Sequence, residues 1–110
     1  MTIIKFYKQN KNFVKLKATG HTGYAEQGKD ILCASISSIT GALALGLKNV
    51  LKLKIKYELN DENGSMLIEL PNNLDLKMQE QVNLLFSVAL ESLKDIKSGY
   101  SQFIKLEVIE

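Results

Sequence analysis

The stretch GHTGYAEQGKDILCASISSITGALALGL, residues 20–47, lies where the spacing of apolar residues changes from that of a strand to that of a helix. Before it, residues alternate between apolar and polar from Phe13 to Thr19, which is typical of a half-buried strand. From Asp30 to about Leu51, apolar residues recur at helical spacing. We therefore predict a strand, a glycine-bearing loop over residues 20–29 and a long helix capped by Asp30. The positions expected to face the core are Val14, Leu16 and Ala18 in the strand, and Leu32, Ile36, Ile39, Leu43, Leu47 and Val50 in the helix.

The rest of the chain divides into further strands and one more helix. The other predicted strands are Thr2–Lys8, Lys54–Leu59, Ser65–Leu70 and Phe103–Ile109, and the second helix runs from about Asp75 to Lys97 with Gly99 as its C-cap. In the strand that starts at Lys54, the side chains of Ile55, Tyr57 and Leu59 are expected to point inward. The order ββαββαβ predicts an α/β (α+β) fold, a two-layer sandwich with two helices on one face of a mixed sheet. We expect one domain over residues 1–110.

Composition limits the class of protein. The chain has 110 residues, 45% of them hydrophobic and 24% charged, as in ordinary globular domains. A single cysteine allows no intrachain disulfide and suits a reducing cytosol. No apolar run is expected to approach the roughly 20 residues of a membrane helix, and the N-terminus lacks the pattern of a signal peptide. We therefore expect a cytoplasmic protein with no membrane partner.

The net charge of +2 is unevenly distributed along the chain. Residues 1–57 carry ten lysines and two acids, whereas residues 58–110 carry four lysines and ten acids. This division fits an acidic face for a basic partner, complementary faces in an oligomer, or a solvated surface without consequence. Arginine, the usual residue for bidentate phosphate and base recognition, does not occur, so no direct nucleic-acid binding is expected.

The only histidine and the only cysteine, His21 and Cys33, lie on either side of the glycine-bearing loop. Cys33 falls in the first turn of the predicted helix, where unpaired N–H groups and the helix dipole favour the thiolate, the reactive form. A nearby imidazole can take the thiol proton and return it later. A buried, purely structural cysteine is the alternative, and the two residues by themselves leave both interpretations open.

A longer motif surrounds this pair. Gly20-His21, Gly23-Tyr24-Ala25 and Gly28-Lys29-Asp30-Ile31-Leu32-Cys33-Ala34, followed by Ser37, resemble the signature of the ribosomal-processing cysteine proteases, the Prp family. The resemblance implies that Cys33 is the nucleophile and His21 the base. It also implies a homodimer that removes an N-terminal extension from a ribosomal protein precursor of the bacterial large subunit, beside aromatic residues.

Residues next to the pair have candidate supporting roles. Backbone N–H groups at the helix start, at Cys33 and Ala34, are expected to meet the oxyanion. Asp30 either caps the helix or orients His21. Ser37 lies one turn after Cys33 and is placed to hydrogen-bond near the thiol. Gly20 and the two glycines after it predict a mobile loop that closes on substrate.

Other functions fit the sequence less well. A thiol redox enzyme would need a second cysteine to resolve the oxidised form. One histidine and one cysteine are too few for a metal site, so we expect no metal and no cofactor. The alternative function is a ribosome- or RNA-associated binding module, which would bind RNA in a strongly salt-dependent manner whether or not Cys33 is intact.

Overall fold

Five strands and two helices form two layers in the computed structural model, which describes residues 1–26 and 28–110. The strands are β1 (Thr2–Gln9), β2 (Asn12–Thr19), β3 (Lys56–Asn60), β4 (Ser65–Glu69) and β5 (Ile104–Ile109). The helices are α1 (Ile31–Leu45), which continues into a π-helical turn at Gly46–Val50, and α2 (Leu76–Gly99). The sheet order is β3-β4-β2-β1-β5, with β1 and β5 parallel and the other pairs antiparallel. The predicted order ββαββαβ and the predicted fold class are confirmed.

The hairpin of β1 and β2 contains an irregularity that the alternating pattern does not reveal. Its two-residue turn, Asn10-Lys11, has positive φ at both positions, as hairpins with the twist of natural sheets require. The register then shifts, because Tyr7 pairs with Lys15 whereas Lys8 pairs with Phe13. This bulge turns Phe13 into the core and leaves Val14 half-buried, so the expectation for Val14 is wrong.

The core lies between one face of the sheet and the two helices. Register places Ile4 beside Ala18, Phe6 beside Leu16, and Leu16 beside Ile68, so all five side chains share that face. The rings of Phe6, Phe13 and Phe86 pack together, with centroids between 5.1 and 6.2 Å apart. From α1 and its π-helical turn, the core receives Leu32, Ile36, Leu43, Ala44 and Leu47.

The π-helical turn explains where the predicted stripe of α1 fails. A π-turn contains an extra residue, so positions after it rotate away from the face that regular helical spacing assigns to them. Leu47 remains fully buried, whereas Val50 is 73% exposed, contrary to expectation. At the end of α2, the C-cap is Tyr100 rather than Gly99, which is still helical.

The expectation that no apolar run approaches membrane-spanning length is also wrong. Among the described residues, the segment Ile31–Val50 is 20 residues long and apolar enough, by length and composition, to cross a bilayer. Its hydropathy is high because its core side chains are large and its exposed residues are mainly alanines, serines and the apolar Ile31, Leu45 and Val50, with only one charged residue, Lys48. Its aliphatic stripe packs against the sheet and α2, as in the core helix of a globular domain.

Strand β3 is an edge strand, and every one of its residues is exposed. Tyr57 and Leu59 lie opposite Ile68 and Met66, on the side of the sheet that carries the helices. Both side chains were expected to point into the core, but they line an open groove instead, and Leu59 is 63% exposed.

The two differently charged halves of the sequence do not form separate faces. Pairing places Glu107 opposite Lys5, and Glu69 opposite Lys15 and Lys56, on the solvent side of the sheet. The sheet therefore interleaves lysines from the first half with acids from the second.

Candidate active site

A groove of about 560 Å³ lies between the start of α1, the exposed strand β3 and the loop after β2. Its lining includes Cys33, Ile36, Ser37 and Thr40 of α1, Tyr57 and Leu59 of β3, Met66 of β4, and Gly20, His21 and Asp30. His21 and Cys33 therefore reach the same cavity. The groove is open because α1 covers the centre of the sheet and leaves the β3 edge uncovered.

The start of the loop is fixed to the sheet and to the β3–β4 turn. Gly20 donates its N–H to the carbonyl of Asn63 (3.3 Å), and its own carbonyl accepts the Thr2 hydroxyl (3.1 Å). Gly64, with φ +64°, lies so close that a Cβ there would be 2.9 Å from the backbone of Gly20. This close approach positions the residue before His21.

Further along, the loop rests on the end of α2. The ring of Tyr24 packs edge-to-face against Tyr100 and Phe103, with centroids 5.4 and 5.5 Å apart. Tyr24 therefore anchors the loop through its ring.

Asp30 links the loop to the helix. One carboxylate oxygen caps α1 by accepting the N–H of Cys33 (2.9 Å). The other accepts the Thr22 hydroxyl and the N–H groups of Tyr24 (3.1 Å) and Ala25 (3.2 Å). Burial opposes ionisation of this carboxyl, but the hydrogen bonds from Thr22, Cys33 and Ala25 outweigh burial and lower the pKa of Asp30 to about 2.

Of the two roles open to Asp30, the structure therefore shows the helix cap. Its hydrogen bonds go to the loop backbone, Thr22 and Cys33, and none goes to His21 among the residues described.

The sulfur of Cys33 is held by Thr22. The Thr22 N–H donates to Cys33 Sγ (3.4 Å), and the Cys33 S–H in turn donates to Thr22 Oγ1 (3.6 Å). Thr22 is 1% exposed, and its hydroxyl donates to Asp30. Thr22, Asp30 and Cys33 thus form a closed set of hydrogen bonds at the helix start.

The imidazole of His21 has a different partner. Its Nε2 lies 3.4 Å from the carbonyl oxygen of Glu62 in the β3–β4 turn. No hydrogen bond joins His21 to Cys33 in the described part of the chain. The two groups line one groove, and proton transfer between them requires the imidazole to leave the Glu62 carbonyl.

The two amides expected to bind an oxyanion are already engaged. Cys33 N–H donates to the Asp30 carboxylate, and Ala34 N–H donates to the Asp30 carbonyl (3.1 Å). Both bonds arise because Asp30 caps the helix, so in this conformation neither amide is available. Ser37 lines the groove, and its hydroxyl has no partner among the described residues, so the hydrogen bond near the thiol stays a prediction.

Three contributors to the site were missed from the sequence: Thr22, the β3–β4 turn and the exposed pair Tyr57 and Leu59. Thr22 contacts Asp30 and Cys33 only because the loop folds back, and no local spacing signals this. The Asn-Gly of the turn does predict a hairpin, but not its packing on Gly20. Within residues 1–26 and 28–110, no group of three or more His, Cys, Asp or Glu side chains could hold a metal ion.

Known proteins share this architecture. A crystal structure of SMU.848 from Streptococcus mutans is 24% identical, with a TM-score of 0.84, and the match covers 99% of this chain and 94% of that one. The ribosomal processing protease Prp of S. aureus, in complex with a covalently linked product peptide, is 21% identical with a TM-score of 0.85. That match covers 98% of this chain and 99% of the S. aureus chain.

Sequence comparison gives the family. The ribosomal processing cysteine protease Prp of Bacillus subtilis (strain 168) is 22% identical over 97 residues, which are 88% of this chain and 87% of the relative. The family model described as cysteine protease Prp matches residues 1–105. That match spans nearly all of the 110 residues and includes the groove residues His21 and Cys33, the only histidine and cysteine of the chain. The chain therefore belongs to the cysteine protease Prp family.

Proposed function

We propose that this protein is a cytoplasmic cysteine endopeptidase that removes an N-terminal extension from a large-subunit ribosomal protein precursor. Cys33 is the nucleophile and His21 the base, and the reaction passes through a thioester. The observation that carries the proposal is that the chain's single cysteine and single histidine line one peptide-sized groove. The names of the relatives, which are ribosomal processing proteases, support the class of substrate.

The chemistry needs one proton carrier and one nucleophile. His21 takes the proton of the Cys33 thiol, and the sulfur then attacks the scissile carbonyl carbon. The resulting oxyanion collapses with cleavage of the C–N bond, and the imidazolium of His21 gives its proton to the leaving amine. Water then hydrolyses the thioester and releases the second product.

His21 must leave the Glu62 carbonyl for this sequence of steps. Gly23 and Gly28 follow His21 with φ values of +77° and +90°, so the loop after His21 contains two residues at which the backbone can pivot. A substrate that lies in the groove between this loop and α1 would contact the loop directly. We therefore expect substrate binding to bring the imidazole to the sulfur.

An oxyanion donor must also be supplied. Ser37 offers a hydroxyl in the groove one helical turn after Cys33. The capped amides of Cys33 and Ala34 can contribute only if Asp30 gives up part of its hydrogen bonding.

The groove offers an apolar subsite for a substrate side chain. Ile36 and Met66 form its inner part, and Tyr57 and Leu59 form its outer wall. Tyr57 and Leu59 are apolar surface exposed on an edge strand without a covering element, which suits a partner that arrives and leaves. A large aromatic side chain beside the cleaved bond would bury this surface.

The decisive experiment is direct. The protein is incubated with full-length precursors of ribosomal proteins, and product masses are read by mass spectrometry. One precursor is expected to lose a short N-terminal peptide, and the Cys33→Ala variant is expected to cut none. If the unmodified protein cleaves no precursor but binds ribosomal RNA in a salt-dependent way, the binding-module alternative is correct.

A further inference from the structure

The hydroxyl of Thr22 faces the sulfur of Cys33 with a lone pair rather than with its proton. An ionised carboxylate can only accept hydrogen bonds, and Asp30 is ionised at any ordinary pH, so the Thr22 hydroxyl must donate to Asp30. Thr22 Oγ1 then accepts the N–H of Tyr24 at 3.2 Å, and its other lone pair is directed at Cys33 Sγ, 3.6 Å away. This oxygen can accept an S–H proton but can offer none to a thiolate.

We propose that Thr22 is a positioning residue whose hydroxyl oxygen accepts the S–H of Cys33 and so orients the sulfur until His21 takes the proton. This inference rests on the proposed role of Cys33 as nucleophile. It concerns the enzyme before substrate has drawn His21 away from Glu62.

Thr22 contacts the sulfur through two groups. Its N–H donates to Cys33 Sγ at 3.4 Å. Its Oγ1, whose own proton points to Asp30, accepts from the S–H at 3.6 Å. The remaining titratable groups described in the lining of the groove are His21, Tyr57 and Asp61. Asp30 and Thr22 belong to one hydrogen-bonded set, so Asp30 fixes the direction in which the Thr22 hydroxyl points.

Thr22 is suited to this role because it cannot easily turn. It is 1% exposed, its hydroxyl proton is committed to Asp30, and its N–H is committed to the sulfur. Thr22 also directly follows His21 in the chain, so any loop movement that brings the imidazole to the sulfur must disturb the contact between Thr22 and the Cys33 sulfur.

The test uses Thr22→Val, which keeps the shape and burial of the side chain but removes Oγ1. The rate of Cys33 alkylation by iodoacetamide is measured against pH in the absence of substrate. The midpoint of the profile is expected to fall by about half to one pH unit, and alkylation at pH 7 to become about three- to tenfold faster, the size of one hydrogen bond to the thiol. Peptide hydrolysis is expected to lose about tenfold in kcat with little change in KM, because the sulfur is no longer oriented.

Two variants make the result specific. Thr22→Ser keeps the hydroxyl and should restore both the midpoint and kcat. Thr40→Val makes the same substitution at another buried threonine of the groove, whose hydroxyl bonds to the Ile36 carbonyl, and its midpoint should remain that of the unmodified protein. If Thr22→Val does not fold, Thr22→Ala removes the same oxygen without adding bulk.

A midpoint that does not move in Thr22→Val, or that moves equally in Thr40→Val, overturns the proposal. The failure of the proposed function has a different signature, since the unmodified protein would then cleave no substrate, or Cys33→Ala would still cleave it. The alkylation profile reports on the thiol itself and is independent of that outcome.

Discussion

The carboxylate of Asp30 accepts the backbone N–H of Cys33 at 2.9 Å, and its other oxygen accepts three donors from the loop that follows β2. One side chain therefore begins α1 and also ties the loop that carries His21 to the helix that carries Cys33. Since these donors stabilise the ionised carboxylate, part of the stability that they supply is lost when Asp30 is protonated in acid.

In acid, we expect Asp30 to stop contributing to the free energy of unfolding. Its pKa is about 2 in the folded protein, below the ordinary value of 3.8, so the contribution is fully present above about pH 4 and is lost as the pH falls through 2. The comparison is urea unfolding of the unmodified protein and Asp30→Asn at several pH values. The difference in unfolding free energy should stay constant from pH 7 to about pH 4.5 and shrink below that. A difference that grows in acid would contradict this assignment.

Removing the Asp30 carboxylate should lower the free energy of unfolding at neutral pH. Asp30→Ala deletes the helix cap and strands buried donors, so we expect a loss of about 2–3 kcal/mol in the free energy of unfolding. Asp75→Ala is the matched control, because Asp75 caps α2 through the N–H of Met78 on the exposed surface and holds no loop. It should cost about 1 kcal/mol. Equal losses in the two variants would mean that Asp30 acts only as a cap.

Cys33→Ala should abolish peptide hydrolysis while leaving the fold intact, because Cys33 contributes little to the core. His21→Ala should be slower by about a thousandfold or more in kcat, the size expected when a dyad loses its base. Because His21 lies on the Glu62 carbonyl until substrate binds, alkylation of Cys33 without substrate should be similar in His21→Ala and in the unmodified protein. Retained peptide hydrolysis in His21→Ala would show that His21 is not the base.

Gly64→Ala should disturb the site from a distance. The substitution strains a residue with φ +64° and places a Cβ 2.9 Å from the backbone of Gly20, so the loop that bears His21 must shift. We expect a loss of about 1–3 kcal/mol in stability together with a fall in kcat. Gly99→Ala lies in helix α2 with open space around it and should leave stability equal or higher by up to about 1 kcal/mol. Full activity of Gly64→Ala would show that this contact does not position His21.

A homodimer is the expected assembly. One face of α1 is exposed and consists of small and aliphatic side chains, namely Ile31, Ala34, Ser38, Ala42 and Leu45. Light scattering at tens of micromolar should give twice the chain mass of 12.3 kDa. Leu45→Lys should lower the mass to that of a monomer, whereas Leu84→Lys, at an exposed leucine of α2, should not. A monomeric mass for the unmodified protein would count against the assembly.

The fold followed from sequence periodicity where strands and helices are regular. The alternation in β2 and the helical spacing in α1 arise from burying one face, and that signal is local. It failed at Val14, because a bulge reverses which side chains face inward, and at Val50, because a π-turn does the same in a helix. Neither irregularity has a signal in the apolar spacing from which the strands and helices were predicted.

The candidate site likewise contains some contacts that the sequence predicts and others that it does not. Asp30 as N-cap could be predicted, since capping involves residues three apart in the chain. The contacts of Thr22 with Cys33 and of His21 with Glu62 join residues 11 and 41 positions apart, and no pattern of spacing encodes them. Tyr57 and Leu59 have the alternation of an inward-facing strand, but α1 does not extend over the β3 edge. Their exposure therefore marks the groove.

The apolar wall of that groove leads to a prediction about substrate choice. We expect the enzyme to cut a quenched peptide with aromatic residues at the junction about a hundredfold or more faster, in kcat/KM, than its alanine-substituted twin. Burial of a ring against Ile36, Tyr57, Leu59 and Met66 can supply the few kcal/mol that this ratio requires. Leu59→Ser removes part of the wall and should lower the ratio of the two kcat/KM values. Val108→Ser, at an exposed position of the opposite edge strand β5, should leave that ratio unchanged. Equal cleavage of the two peptides by the unmodified protein would show that the groove does not select an aromatic side chain. If neither peptide is cut while Cys33 still labels readily, the thiol serves another chemistry.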